Sequence, residues 1–255
     1  MKRRASILLP PVLFGVTFLV LWELFVVTRH IKPFLLPKPS AIWGQFHANF
    51  RFVRSSTRVT GTNALVGLLL GVASGVLVAL TASRFRLMRE LIAPLAISVA
   101  AVPIIVLVAI LNNLFSITSE VPRRLMVALV VFFIVFLNVS KGLAQADATQ
   151  LELMRSYGAS DASIIRKVRV PNALGYLFVA LRQAAPLAVV TAFVSEYFGG
   201  TQNGLGARIT QSIASSRDAA GWAYVLAACL LGLTFFVISI ALERIAAPWR
   251  ARQIR

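Results

Sequence analysis

Long apolar stretches separated by short polar segments run through this chain. The apolar stretches are about 20 residues long, which is the length that an α-helix needs to cross the hydrocarbon core of a bilayer. Six membrane spans are predicted, at residues 8–28, 59–82, 90–112, 123–143, 175–196 and 222–243. The pattern therefore predicts an all-α, polytopic membrane protein with a single transmembrane domain over residues 1–255.

The composition agrees with a membrane location. Hydrophobic residues make up 58% of the chain and charged residues only 14%, whereas about a quarter of a soluble protein is charged. The net charge of +17 comes from short basic blocks beside the apolar stretches, a pattern typical of membrane flanks rather than of nucleic-acid binding. More of these bases lie on the side of the termini, which predicts cytoplasmic termini, although Arg123 and Arg124 run against this bias.

A short amphipathic segment precedes the second span. Ile42, Trp43, Phe46 and Phe50 recur at three- and four-residue steps, so they share one face of a helix. Ser40 is a candidate N-cap for that helix. We expect the segment to lie in the membrane interface on the side opposite the termini, with Trp43 at the level of the headgroups.

Two further spans carry residues that shape helix packing. Gly67, Gly71 and Gly75 are each four residues apart in the second span, so they form a smooth groove that another helix can approach closely. Pro103 interrupts the third span and is expected to kink it. A kink of this kind can line a transport pathway, and it can equally be a packing feature.

The polar and basic island between the fourth and fifth spans is the most informative part of the chain. We call residues 144–174 the coupling segment. Ser160 is predicted to cap a short helix, Gly158 to allow a sharp bend before it, and Pro171 to end it. The result would be a rigid basic knob at the membrane surface, which favours an acidic groove on a partner.

The spacing of Glu152, Gly158 and Pro171 resembles the cytoplasmic coupling loop of the membrane permeases of ABC importers, which follows the pattern E-A-A-x3-G-x9-I-x-L-P. The two alanines of the pattern are Leu153 and Met154 here. The resemblance implies a type I ABC importer permease fold with six transmembrane helices, and Glu152 would anchor the loop. It implies contact with an ATPase through six residues: Glu152, Tyr157, Gly158, Ala159, Ser160 and Pro171.

Within these permeases, the chain is similar to the nitrate, sulfonate and taurine importer group. The similarity rests on Leu36-Pro37-Lys38-Pro39, on the coupling segment, and on Ser195-Glu196-Tyr197-Phe198 followed by Gly204-Leu205-Gly206. The stretch 112–118 departs from the Phe-Gly-x-Gly turn of the group. The same family includes importers of thiamine precursors, riboflavin and aromatic carboxylates, so both classes of solute stay open.

The resemblance implies the partners and the location. Two permease chains, identical or paralogous, would form the pathway in the bacterial inner membrane, with a cytoplasmic ATPase dimer on one side and an extracytoplasmic solute-binding protein on the other. The chain has no G-x-x-x-x-G-K-[ST] loop, so we expect ATP and Mg²⁺ to be bound by the ATPase and no cofactor by this chain.

Two other functions were weighed. An ion-driven secondary transporter needs carboxylates within the membrane, and Glu23 and Glu196 are the candidates, both near span ends where they could reach water. A membrane enzyme is not favoured, because the sequence has no cluster of His, Cys or paired acids at catalytic spacing. Arg182 lies inside the fifth span, where it either contacts an anionic solute or has a structural role. With Pro103 and Glu196, it is a candidate for the substrate pathway.

Overall fold

The computed structural model describes residues 2–85, 103–115, 119–199 and 203–247 of the chain. Helices are the only regular secondary structure in these ranges. We number them in chain order: α1 Lys2–Thr28, α2 Pro39–Ala48, α3 Phe50–Arg84, α4 Ile104–Leu114, α5 Val121–Ala144, α6 Ala148–Ser156, α7 Asp161–Phe198, α8 Leu205–Ala214 and α9 Asp218–Ala246.

Within the described ranges, five helices are long and apolar enough to cross a membrane. They are α1 (from Leu9), α3, α5, α7 and α9. The predicted third span falls partly outside the described residues, since 90–102 are not among them, and α4 covers its end. Helices α3 and α7 are longer than the predicted spans because polar turns extend both of them beyond the apolar stretch.

The order of the helices places the start of α1 and the end of α9 on one side of the bundle. Trp22, late in α1, lies against Trp222, early in α9, with ring centroids 5.9 Å apart. The start of α1 and the end of α9 therefore lie at the opposite end. Asn172 donates a hydrogen bond to the carbonyl of Gly142 (2.7 Å), so the coupling segment joins α5 and α7. We call the side that carries this segment the coupling end and the other side the far end.

The core is formed by three helices, α3, α5 and α7. Gly67, Gly71 and Gly75 of α3 face Val127, Val131 and Val135 of α5, and the two backbones approach closely because these glycines have no side chain. On the other side of α5, α7 presents a stripe of alanines at four-residue steps. These fully buried residues are Ala180, Ala184, Ala188 and Ala192. Small residues thus bring all three helices into close contact.

Helix α2 lies at the far end, but Ser40 is not its N-cap as predicted. Lys38 occupies the cap position, Pro39 begins the helix, and Ser40 bonds to α1 instead. The backbone N–H of Ser40 donates to Glu23 Oε2 (3.0 Å), and its hydroxyl donates to Glu23 Oε1 (2.7 Å). A carboxylate of a neighbouring helix therefore accepts a hydrogen bond from the first turn of α2. The side chain of an N-cap residue usually has this role.

Pro171 does not end a short helix, contrary to the prediction. Helix α7 runs from Asp161 to Phe198 and includes a π-helical turn at Ile165–Arg169, which ends two residues before the proline. Proline lacks the N–H that closes an α-helical turn, and its ring crowds the carbonyl four residues back. A wider turn shifts the hydrogen-bonding register at this point, so the helix continues through Pro171.

Candidate functional site

The coupling segment folds as two helices joined by a sharp bend. Asp147 caps α6 by accepting a hydrogen bond from the backbone of Thr149 (2.8 Å). Ser160 caps α7, as predicted, by accepting a hydrogen bond from the backbone of Ser163 (3.4 Å). Gly158 lies between them with a φ of +68°, a backbone conformation that residues other than glycine rarely adopt. The bend predicted at Gly158 is therefore confirmed, and it turns the chain back toward α7.

The surface of this bend is exposed and partly apolar. Tyr157 is 80% exposed and Leu153 is 54% exposed. Glu152 is exposed as well, and its role as the anchor of the segment stays a prediction. Arg155, Arg166 and Lys167 add exposed positive charge. An exposed aromatic ring on a short capped structure that also carries exposed bases is suited to insertion into a partner.

At the far end, Glu196 connects three helices. Its side chain is buried, at 1% exposure, so the expectation that it reaches water is wrong. Oε2 accepts hydrogen bonds from the hydroxyl of Thr60 on α3 (2.7 Å) and from the backbone N–H of Gly206 on α8 (3.2 Å). Thr60 in turn accepts from the backbone of Leu205 (2.9 Å). Glu196 therefore stabilises the start of α8 and does not line an open pathway in this conformation.

Gly204 explains how α8 approaches this carboxylate so closely. Its φ is +100°, and a Cβ at this position would overlap the carboxylate of Glu196. A Cβ on Gly206 would overlap the backbone of Phe193. The two sequence patches at 195–198 and 204–206 thus form one structural unit, in which the glycines make room for a buried acid.

A second buried polar group lies beside it and accounts for Arg123 and Arg124. Arg123 is 2% exposed and forms an ion pair with Glu120. Asn63 of α3 donates to Glu120 Oε2 (2.5 Å) and accepts from Nε of Arg124 (3.1 Å). Both arginines thus bind polar groups beside the core. Their packing accounts for two bases on the side of the membrane where the charge bias predicts few.

Arg182 forms an ion pair that sequence reasoning missed. Its Nε lies 2.6 Å from Oε2 of Glu243 on α9, and a second guanidinium nitrogen lies 2.5 Å from the same oxygen. The side chain of Glu243 is 10% exposed and that of Arg182 is 41% exposed. The two residues lie in antiparallel spans at a similar depth from the coupling end. This similar depth is the signal in the sequence that could have pointed to the pair. It supports the structural role for Arg182, because the acid neutralises the charge that a solute would meet.

We expect Arg182→Gln to lower the thermal stability of the detergent-solubilised protein, because Glu243 would lose its cation. The loss should be below the roughly 3–5 kcal/mol of a fully buried pair, since Arg182 is partly exposed. Arg182→Lys should keep most of the stability, and the double variant Arg182→Gln/Glu243→Gln should recover part of it. Equal melting temperatures for the wild type and the Gln variant would contradict the structural role.

Pro103 and Glu23 are the two other residues considered for a role in transport. Pro103 is exposed and lies at the N-cap position of α4, and the residues before it lie outside the described ranges, so a pathway role for it stays a prediction. Glu23 accepts two hydrogen bonds from Ser40. Both acids considered for an ion-driven transporter, Glu23 and Glu196, therefore have hydrogen-bonding roles in the fold.

Comparison with known proteins agrees with this arrangement. Residues 67–252 match the family described as "Binding-protein-dependent transport system inner membrane component". The formylaminopyrimidine transport permease protein ThiX of Halalkalibacterium halodurans is 30% identical, over 98% of this chain and 100% of that protein. The riboflavin transport system permease protein RibX of Chloroflexus aurantiacus is 26% identical, over 91% of this chain and 87% of that protein.

Solved structures share the fold. An amino acid ABC transporter chain superposes with a TM-score of 0.60 at 16% identity, covering 80% of this chain and 95% of its own. A chain of the MetNI methionine ABC transporter, in an inward-facing conformation, gives a TM-score of 0.52 at 19% identity and covers 75% and 94%. At these identities, the similarity shows a shared arrangement of the helices and nothing about the solute.

Proposed function

Because this chain belongs to the family of binding-protein-dependent transport system inner membrane components, and is thus a multi-pass membrane subunit of an ABC importer, we propose that it imports a nitrogen heterocycle. The solute class would be that of the formylaminopyrimidine and riboflavin for which two of its relatives are named. This is the second of the two solute classes considered above, and it takes precedence over nitrate, sulfonate and taurine.

The observation that carries this proposal is the similarity to ThiX, at 30% identity along nearly the whole of both chains. The ion pair between Arg182 and Glu243 agrees with it, since the intramembrane base considered as a contact for an anion is already neutralised. In importers of this family, the binding protein supplies most of the selectivity. The permease then needs only a pathway that tolerates the solute.

Uptake by the assembled transporter tests the solute class. The chain would be tagged, purified from its host's membranes with the subunits that accompany it, and reconstituted in vesicles with the host's binding protein. We expect ATP-dependent accumulation of radiolabelled formylaminopyrimidine or riboflavin, and none of taurine. Accumulation of taurine or nitrate alone would contradict the proposal, while ion-driven uptake without ATP would contradict the ABC mechanism itself.

The coupling segment would be the contact with the ATPase. Its support is the confirmed bend at Gly158, the cap at Ser160, and the exposed Tyr157 beside exposed bases. Glu152 would act across the interface rather than within the chain, because its carboxylate faces outward. An ATPase dimer would bind ATP and Mg²⁺ on the cytoplasmic side. The coupling end, and with it both termini, would then lie in the cytoplasm.

Gly158→Val should weaken binding of the ATPase while the spans stay folded. Valine at a φ of +68° is strained by on the order of 1–3 kcal/mol, and its Cβ would meet no other atom within 4 Å, so the strain falls on the bend alone. The measurement is the amount of ATPase that copurifies. Gly15→Val is the matched control, because Gly15 also has no atom within 4 Å and lies in the apolar α1. Undiminished copurification from Gly158→Val would argue against this contact.

A second permease chain completes the proposed pathway, either as a homodimer or as a pair of paralogues. The exposed apolar surface of α1 and α9 is consistent with contact to lipid or to another membrane chain. ATP-driven closure of the ATPases would move the two coupling segments together and change the access of the pathway from one side of the membrane to the other.

A further inference from the structure

Three arginines on α3 lie above an apolar groove at the far end of the bundle. Arg51, Arg54 and Arg58 follow each other at steps of three and four residues, so they occupy one face of the helix, and all three are exposed. None of them forms an ion pair or a side-chain hydrogen bond with the described residues. They also lie at the far end, and basic residues are usually scarce on that side of a membrane protein.

The groove beside them runs between α3 and α9. Its volume is about 880 Å³, and its walls include Phe46, Phe50, Val53, Ala227, Leu230 and Leu231. Three side chains with hydroxyls also line it, those of Ser55, Thr57 and Thr234, and the two threonines bond to their own helices. Thr57 donates to the carbonyl of Val53 (2.8 Å) and Thr234 to that of Leu230 (2.8 Å). The wall therefore offers apolar surface and no available donor from these threonines.

The depth of the groove matches the boundary of the bilayer. Helix α3 has 35 residues, so at 1.5 Å per residue it is about 20 Å longer than a hydrocarbon core of about 30 Å. The apolar part of the helix begins after Arg58, and Arg54 and Arg51 lie farther out, within about 10 Å along the axis. The arginines thus lie at headgroup level, while Leu231 lies beside Gly61, about 4.5 Å farther along α3 than Arg58 and toward the bilayer interior.

We propose that this groove binds an anionic phospholipid, with the phosphate held by Arg51, Arg54 and Arg58 and an acyl chain along Leu230 and Leu231. Charge complementarity selects the occupant: three exposed guanidinium groups favour an anion, and the apolar groove below them favours a hydrocarbon chain. A soluble binding protein could neutralise the outermost arginine but could not fill a groove at the depth of the hydrocarbon. The lipid would fix the spacing of α3 and α9, which approach each other at Gly61 and Leu231.

The test is lipid binding by the full chain in mild detergent, measured by native mass spectrometry with added phosphatidylglycerol or phosphatidylcholine. We expect preferential binding of phosphatidylglycerol. Each base near a membrane surface contributes about a fivefold gain in affinity for anionic lipid, so the triple variant R51Q/R54Q/R58Q should bind it on the order of a hundredfold more weakly. The triple lysine variant should bind within a few fold of the wild type, because it keeps the charge.

Matched controls separate this site from general attraction. The variant R29Q/K32Q/K38Q removes the same charge from exposed positions at the far end but outside the groove, and should leave binding unchanged. Leu230→Trp should weaken binding of the lipid by obstructing the groove without changing the charge. Equal losses in R29Q/K32Q/K38Q and in R51Q/R54Q/R58Q would overturn the proposal.

Two other occupants give distinct results. If soluble glycerol phosphate competes as well as phosphatidylglycerol does, the site holds an anion alone and the proposal of a lipid is wrong. If R51Q/R54Q/R58Q dissociates a permease dimer while lipid binding is unchanged, the groove holds a second copy and the proposal is again overturned. None of these outcomes depends on the solute that the transporter carries.

Discussion

Substitution of Gly71 by alanine should destabilise the protein by forcing α3 and α5 apart. A Cβ at this position would lie 2.6 Å from the carbonyl oxygen of Ala128 and 2.6 Å from Cβ of Val131. Both distances are far below van der Waals contact, and one partner is backbone, which cannot rotate away. The axes of α3 and α5 would have to separate.

Overpacking of this kind costs about 1–3 kcal/mol, and we expect Gly71→Ala at the upper end of that range because α5 packs on α3 along its whole length. The measurement is the melting temperature in detergent, followed by size-exclusion chromatography. Gly232→Ala is the matched control: Gly232 lies in the apolar α9 with no atom within 4 Å, so the added methyl group should be neutral or slightly stabilising. Equal stability of the two variants would mean that the helices are not in close contact at Gly71.

Replacement of Glu196 by leucine should detach α8 from the bundle. The hydroxyl of Thr60 and the backbone N–H of Gly206 would both lose their acceptor in a buried site. A buried donor without a partner costs about 1–3 kcal/mol, so two of them remove a large part of the stability of this contact. Glu196→Gln keeps a carbonyl oxygen in place and should cost less.

Detachment can be measured directly with a cysteine on α8. Ala207 is 2% exposed, so Ala207→Cys should resist a water-soluble maleimide in the otherwise wild-type chain and react quickly when Glu196→Leu is added. The exposed Cys229 would first be replaced by serine. Thr60→Val provides a second route to the same effect, because it removes the hydroxyl that links Glu196 and Leu205. Slow labelling in both variants would show that α8 is held by other contacts.

Local patterns in the sequence predicted much of this structure. Apolar length predicted the spans, because the thickness of a bilayer sets the number of helical residues. The four-residue glycine spacing in the second span predicted a close helix contact, and α5 lies there. The same spacing of alanines in α7 carries the same signal. Ser160 and Gly158 were recognised because a cap and a left-handed bend depend on a single residue type.

Only the tertiary structure decided which polar groups meet. Glu196 pairs with Thr60, 136 residues away, and Arg182 pairs with Glu243, 61 residues away, and neither pairing is visible in local spacing. The fate of Pro171 also depended on context, since the π-helical turn before it lets α7 continue. The sequence by itself determined which stretches are apolar enough to span the membrane and where the cap at Ser160 and the bend at Gly158 lie, because these follow from the thickness of the membrane and from single residue types. The partners of the buried charges depended on how the helices pack, because a charge in an apolar bundle is stable only beside the groups that packing brings to it.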